Sequence, residues 1–325
     1  MRVTGWIRQV LGATAAGLLA LAAPGAGAQS LDSLYVMAPA NPGGGWDQTA
    51  RSIQDAMQAA GIAGSVQVEN VGGAGGTVGL AQFVDRKRGD GQALMVSGLV
   101  MVGAILTNQS PVTLEQVTPI ARLTGEYEGI VVPGSSDIQT LDQLVEKLKA
   151  DPGAVSWAGG SAGGTDHILV GLIAKAVGAD PTKINYIPYS GGGEALAAIL
   201  GGHVTAGVSG YGEFAGQIAS GDLRALAISS AERIEGIDVP TLMEQGVNVE
   251  LANWRAVMGP PELEEAERTA LIAAVGKMAE SESWRSTLAQ RDWMDLYLPG
   301  DEFAAYLEKQ QTEIEAVLRD IGLVQ

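Results

Sequence analysis

Two hydrophobic rhythms alternate along this chain. Short runs of apolar or every-second-residue apolar character, at 34–38, 65–69, 92–97, 129–133, 154–158, 184–188, 204–209, 223–229 and 250–258, read as strands. Between them, apolar residues recur at three- and four-residue spacing, which reads as helix. Ala50, Ile53, Met57 and Ala60 mark one helix starting near Trp46 or Asp47. Leu141, Leu144, Val145 and Leu148 mark another, stopped by Asp151-Pro152-Gly153. Further helices are expected over 78–88, 99–107, 168–176 and 213–219 and after Glu194, with a short helical turn over 239–246. Beyond 260 the pattern is helical throughout, over 266–278, 283–290 and 301–321. Strands alternating with helices predict an α/β fold with parallel pairing.

Four of the strand-to-helix junctions are glycine-rich. They are Pro42-Gly43-Gly44-Gly45-Trp46-Asp47, Gly72-Gly73-Ala74-Gly75-Gly76, Gly159-Gly160-Ser161-Ala162-Gly163-Gly164-Thr165-Asp166-His167 and Tyr189-Ser190-Gly191-Gly192-Gly193-Glu194. Glycine lets a ligand lie on the backbone, and the first N–H groups of a helix lack intrahelical partners, so an anion is the natural occupant. One such loop is an ordinary tight connection. Four of them, spread over both halves of the chain, indicate one cleft between two lobes, because ligands of open α/β sheets bind beyond the carboxyl ends of strands. The expected division is 29–129 with 252–325 as the first lobe and 130–251 inserted as the second.

Composition supports two α/β lobes. At 325 residues the chain exceeds one ordinary core, and 46% hydrophobic residues with only 5% aromatics mean a core of Ala, Val, Leu and Ile. Residues 1–28 carry Arg2 and Arg8, an apolar run from Leu11 to Ala23, and a small-residue site at Ala26-Gly27-Ala28, the pattern of a cleaved secretory signal. A periplasmic protein without a membrane span is expected, and the absence of cysteine argues against a lipid anchor at Gln29. Cleavage removes two arginines and no acid, taking the formal charge from -17 to -19, which argues against a nucleic-acid partner.

Several chemistries are weighed by their residues. No Gly-Lys-Ser or Gly-Lys-Thr is present, so a P-loop is excluded. The Gly210, Gly212, Ala215 spacing is too isolated for a dinucleotide site. Two histidines, His167 and His203, far apart and without a carboxylate cluster or any cysteine, give no expected metal or other cofactor. The rival function is a secreted serine esterase: Gly159-Gly160-Ser161-Ala162-Gly163 fits a nucleophile elbow, with Asp180 and His203 following in hydrolase order. Against it, Gly164, Thr165 and Asp166 intervene before the helix, and Thr165 or Asp166 is the expected N-cap. Trp46 either walls a pocket or fills the core, His167 either meets an anion or caps, and Arg255 either grips a ligand carboxylate or forms a salt bridge.

The chain closely resembles the periplasmic solute-binding receptors of tripartite tricarboxylate transporters. The resemblance covers essentially the whole chain after the signal. It rests on Pro42 to Arg51, Asn70 with Gly72 to Gly76, Gly159 to His167, Val239 to Gly246 and Asn253-Trp254-Arg255. The Gly-Gly-Gly-Trp-Asp form of the first loop looks like the tricarboxylate branch, while Ala256 stands where relatives often have glycine. The resemblance implies a two-lobed periplasmic binding protein fold, type II-like, each lobe a mixed sheet flanked by helices. It implies a monomer that hinges closed on a di- or tricarboxylate, citrate-like first, and delivers it to a membrane carrier of one large and one small subunit. Carried onto this sequence, two loops grip one ligand carboxylate: Asn41, Pro42, Gly43, Gly44, Gly45, Trp46 and Asp47 against Ser161, Ala162, Gly163, Gly164 and Thr165, with Asp166 and His167 adjoining. Ser97, Gly192, Gly193, Tyr211 and Arg255 would face the rest of the ligand.

Overall fold

The computed structural model describes residues 31–189 and 192–325. The segment 1–28, read above as a secretory signal, lies outside the described residues, as do Ser190 and Gly191 of the fourth glycine loop. Strands β1 (Leu31–Ala38), β2 (Ala63–Asn70) and β3 (Ala93–Gly98) pair in parallel in the order β2-β1-β3. Every residue of β3 is buried, as expected of a strand covered on both faces. Helices α1 (Gly45–Ala59) and α2 (Thr77–Arg86) follow β1 and β2, and α3 (Leu99–Thr107) follows β3. In α1 the buried stripe is Trp46, Ala50, Ile53, Ala56 and Met57, whereas Ala60 is exposed just past the helix end.

One strand joins the two lobes. β4 (Thr118–Pro133) is 16 residues long, and its first half pairs antiparallel with β9 (Ala252–Gly259) and β10 (Met294–Pro299). Its second half pairs antiparallel with β7 (Ala206–Gly210) and β8 (Leu223–Ile228), and β5 (Ser156–Gly159) and β6 (Asn185–Pro188) extend that sheet in parallel. Helices α4 (Leu141–Ala150), α5 (Thr165–Ala176), α6 (Gly192–Leu200) and α7 (Tyr211–Ser220) flank this second sheet. The sheets are therefore mixed, not parallel throughout. The expected strand at 129–133 begins eleven residues earlier, because Thr124, Glu126 and Glu128 are buried in it and hide the apolar alternation. Edge strand β10, half-exposed and closed by Pro299, falls where only helix was expected. Residues 239–246 form turns and no helix.

The cores match this layout. One hydrophobic cluster gathers side chains from Leu34 to Leu123 and from Trp254 to Ile321, joined by Ile168, and a second gathers Ile130 to Val249. Helices α8 (Glu265–Ala279), α9 (Glu282–Gln290) and α10 (Gly300–Asp320) complete the first. Trp254 sits edge-on to Phe303 and Tyr306, and its indole N–H donates to Gln310 Oε1 at 3.1 Å. The end of α10 also reaches the second lobe, where Asp320 pairs with Lys175 and Ile321 packs on Gly171. Among the described residues no helix is long and apolar enough to cross a membrane.

Candidate ligand-binding site

Four helices at the cleft share one kind of start. α1, α3, α5 and α7 are N-capped by Gly44, Gly98, Gly164 and Gly210, none with a side-chain cap; α3 and α7 follow their strands immediately, and α1 and α5 follow theirs after short loops. Away from the cleft, α4 and α9 are capped by Thr140 and Ser281 and α8 by a Glu264 capping box, while α10 starts after Pro299 without a side-chain cap. A glycine cap leaves the first N–H groups without a side-chain acceptor. Between these ends lies a cavity of about 470 Å³, lined from the first lobe by Asn41, Gly44, Gly45, Trp46 and the 73–76 loop, and from the second by Gly160, Ser161, Ala162 and Gly192.

The first loop is braced from behind. Asp47, 4% exposed, accepts from the Gly43 N–H at 2.8 Å, from Asn70 Nδ2 at 2.9 Å and from Arg51. Burial pushes the Asp47 carboxyl up, but these donors together hold it below the ordinary aspartate value. Asp47 thus fixes the loop and does not line the cavity, in contrast to its expected role as a contact. Trp46 does both jobs weighed for it, since it lines the cavity and belongs to the first core. Gly76 allows this: its φ is +92°, and a Cβ there would lie 2.5 Å from the Trp46 ring.

The second loop is seated on α3. Gly103 approaches the Gly163 carbonyl so closely that a Cβ would collide with it, and Thr107 and Val100 lie against Gly163 and Gly164. Gly163 donates its N–H to His167 Nδ1 at 3.2 Å, and the His167 ring stacks on Tyr186 at 4.1 Å. His167 therefore caps the loop as an acceptor, and burial lowers its pKa to about 4. The N-cap of α5 is Gly164, not Thr165 or Asp166: Thr165 is fully buried with its hydroxyl on Asn253, and Asp166 Oδ2 accepts from the Gly160 N–H at 2.6 Å. Ser161 sits three residues before that cap, so the elbow geometry is absent. Asp180 accepts from Thr182, and His203 is exposed in the turn after α6.

A polar wall completes the cavity. Arg255, 3% exposed, forms a buried ion pair with Glu126, and Asp166 and Glu213 also line the space. Ligand contact and salt bridge, the two roles weighed for Arg255, are thus both sterically available. Glu128, fully buried, has its carboxyl raised by burial and then by Asp166, Glu126 and Glu213; burial likewise raises Glu213 and takes Asp166 to about 7.

This predicts a pH dependence with two opposing parts. Folded Asp166 keeps a proton up to about 7, whereas the exposed group ionises near 3.8, so stability falls as pH rises through that window. His167 acts oppositely: the unfolded chain takes a proton below about 6.5 and the folded one only near 4, so stability falls as pH drops between them. In chemical denaturation, Asp166→Asn should gain on the parent protein at pH 8 relative to pH 5. An equal difference at both pH values would contradict the assignment.

Of the expected contacts, Asn41, Gly44, Gly45, Trp46, Ser161, Ala162, Asp166, Gly192 and Arg255 line one cavity. Pro42, Gly43, Asp47, Ser97, Gly163, Gly164, Thr165, His167, Gly193 and Tyr211 do not; most of these shape the loops around it. Ser97 is buried with its hydroxyl toward Met101 Sδ, and Tyr211 starts α7 against Gly129. The 73–76 loop, Asn108, Glu213 and Asn253 line the cavity without having been singled out as contacts. The shared glycine design pointed to the first of these and the Asn253-Trp254-Arg255 motif to the last, while nothing local marks Asn108 and Glu213.

A two-lobed α/β receptor with a solute-sized cleft is the class that this fold and site define. The family model for the tripartite tricarboxylate transporter family receptor matches residues 49–323, and the chain belongs to that family. These proteins are periplasmic substrate-binding receptors, not enzymes. Protein BugT of Bordetella pertussis is 29% identical over 296 residues, covering 89% of each chain. Among solved structures, MatC from Rhodopseudomonas palustris with bound malate has a TM-score of 0.77 at 23% identity, covering 88% of this chain and 98% of its own. R. palustris Rpa4515 with adipate has a TM-score of 0.80 at 20% identity, covering 89% and 97%. The two share the fold.

Proposed function

We propose that this receptor captures a small carboxylate between lobes 29–129 with 252–325 and 130–251, and hands it to a membrane carrier of one large and one small subunit. The observation that carries this is the convergence of side-chain-uncapped helix starts from both lobes on one cavity. Asn41, Gly44 and Gly45 on one side and Ser161 and Ala162 on the other would hold the carboxylate through backbone N–H groups. Hydrogen bonds to a charged acceptor contribute roughly 1.5–3 kcal/mol each, so a handful reaches the roughly 8 kcal/mol of a micromolar complex after ordering costs. Malate and adipate, seen with two proteins of the same fold, favour this ligand class. The receptor works as a monomer after removal of residues 1–28, and closes because the solute touches both lobes.

Calorimetry with succinate, malate, adipate, tricarballylate and citrate tests the reading, citrate-like compounds being those the family resemblance puts first. Silence across that panel, with ester turnover abolished by Ser161→Ala, would overturn it in favour of a hydrolase. Gly44→Leu probes the loop itself. The Gly44 backbone is extended at φ -80°, and nothing but the Asn41 carbonyl lies within 4 Å of a Cβ placed there. The variant should therefore unfold at the parent's denaturant concentration yet lose about tenfold or more in affinity as the side chain fills the cavity. Unchanged affinity would remove Gly44 from the site.

A further inference from the structure

The polar wall holds more carboxylate than the pairing of Arg255 requires. Glu126 takes the guanidinium, yet Asp166 and Glu213 line the same cavity, and Glu128 lies fully buried with neither carboxylate oxygen partnered. Arg255 also lines the cavity, and its Nη1, buried, has no partner in the protein. Among the described residues no group of acids and histidines is arranged to hold a metal ion, so the wall is not a metal cage. The loops at 41–45, 73–76 and 160–162 present no acidic side chain to the cavity. One part of the lining thus offers N–H donors, and another offers carboxylates.

We propose that the solute carries, besides the carboxylate taken by the N–H loops, a cationic hydrogen-bond donor of the ammonium type, received by Asp166 and Glu213. This rests on the carboxylate reading of the cleft and narrows it. Buried carboxylates without a counter-charge must gain a proton or a cation. Two carboxylates, on Glu128 and Glu213, meet this demand by shifting upward with burial, and Asp166 follows; a cationic group would relieve all three. A citrate-type trianion would instead add like charge to the wall. An apolar tail would leave the acids without a counter-charge.

The test is calorimetry on the whole receptor with three straight-chain series of three to six carbons: monocarboxylates, α,ω-dicarboxylates and ω-amino acids. At the best chain length the ω-amino acid should bind roughly tenfold or more tighter than the monocarboxylate, the size expected of a hydrogen bond to a charged group. In Glu213→Gln, shown to be folded by its unfolding midpoint, that ratio should fall toward one. A purely structural role would lower both affinities and keep the ratio. Repeating the titration in two buffers of different ionisation enthalpy should show no proton uptake with the ω-amino acid. Dicarboxylates that bind tightest and take up protons would mean that the acids serve as neutral donors, overturning the cationic group while leaving carboxylate capture intact. No binding in any series overturns both.

Discussion

Arg255→Leu is expected to cost about 3–5 kcal/mol of stability, the range for removing one partner of a buried ion pair. Arg255 and Glu126 are almost fully buried, and the Arg255 guanidinium is the positive charge that offsets the carboxylates around Glu128 and Glu213. Without it, Glu126 faces Glu128, Asp166 and Glu213 in a low-dielectric setting, where like charges repel strongly. The loss should be largest near neutral pH and shrink in acid, as the carboxylates protonate. The double variant Arg255→Leu with Glu126→Leu should recover much of it, since replacing both members of a buried pair by apolar groups is often neutral. Denaturant titrations of the three variants check this. A loss under about 1 kcal/mol for the single variant would mean that water or a counter-ion already neutralises the wall.

Gly103→Ala is expected to move stability and affinity in opposite directions. Gly103 lies inside α3, where alanine is favoured over glycine by roughly 0.5–1 kcal/mol, so the first lobe should be no less stable. Across the cleft, however, a Cβ would collide with the Gly163 carbonyl, a backbone atom of a loop held by His167 and Thr107. Overpacking of this sort costs roughly 1–3 kcal/mol and applies only while the two lobes are together, so affinity should fall roughly five- to 150-fold by population shift. Solution scattering would show a more open average shape in the variant with ligand. Equal affinity in the two proteins would mean that this contact is not part of the ligand-holding state.

These two sites also show what could be read from the chain beforehand. Asn41 to Gly45 and Gly160 to Ala162 announce themselves, because consecutive glycines between a strand and a helix serve backbone access to a ligand. Gly103 does not: it is one glycine in an apolar helix, and its partner is a carbonyl 60 positions away. Asp47, Thr165 and His167 lie next to the contact residues in the sequence, yet they point into the loops. Neighbours in a tight turn diverge in direction, so proximity along the chain overstates who touches a ligand. Glu126 and Glu128 misled in the other way. Charged residues in a strand normally face water, and the burial of these two follows only from tertiary packing, with the start of α7 and Arg255 against β4.

Local chemistry, then, determined the α/β class and the two glycine loops that line the cleft, because glycine geometry and residue periodicity act over a few residues at a time, whereas the cap of α5 at Gly164 in place of Thr165 or Asp166 followed only from the folded loop. Tertiary structure alone decided that one strand, β4, serves both sheets and that α3 is the seat for the second loop. It also decided that a single guanidinium lies among several carboxylates. Each of these depends on contacts between distant segments, where the energy lies in the dielectric and steric fit of the assembled cleft and in no residue by itself.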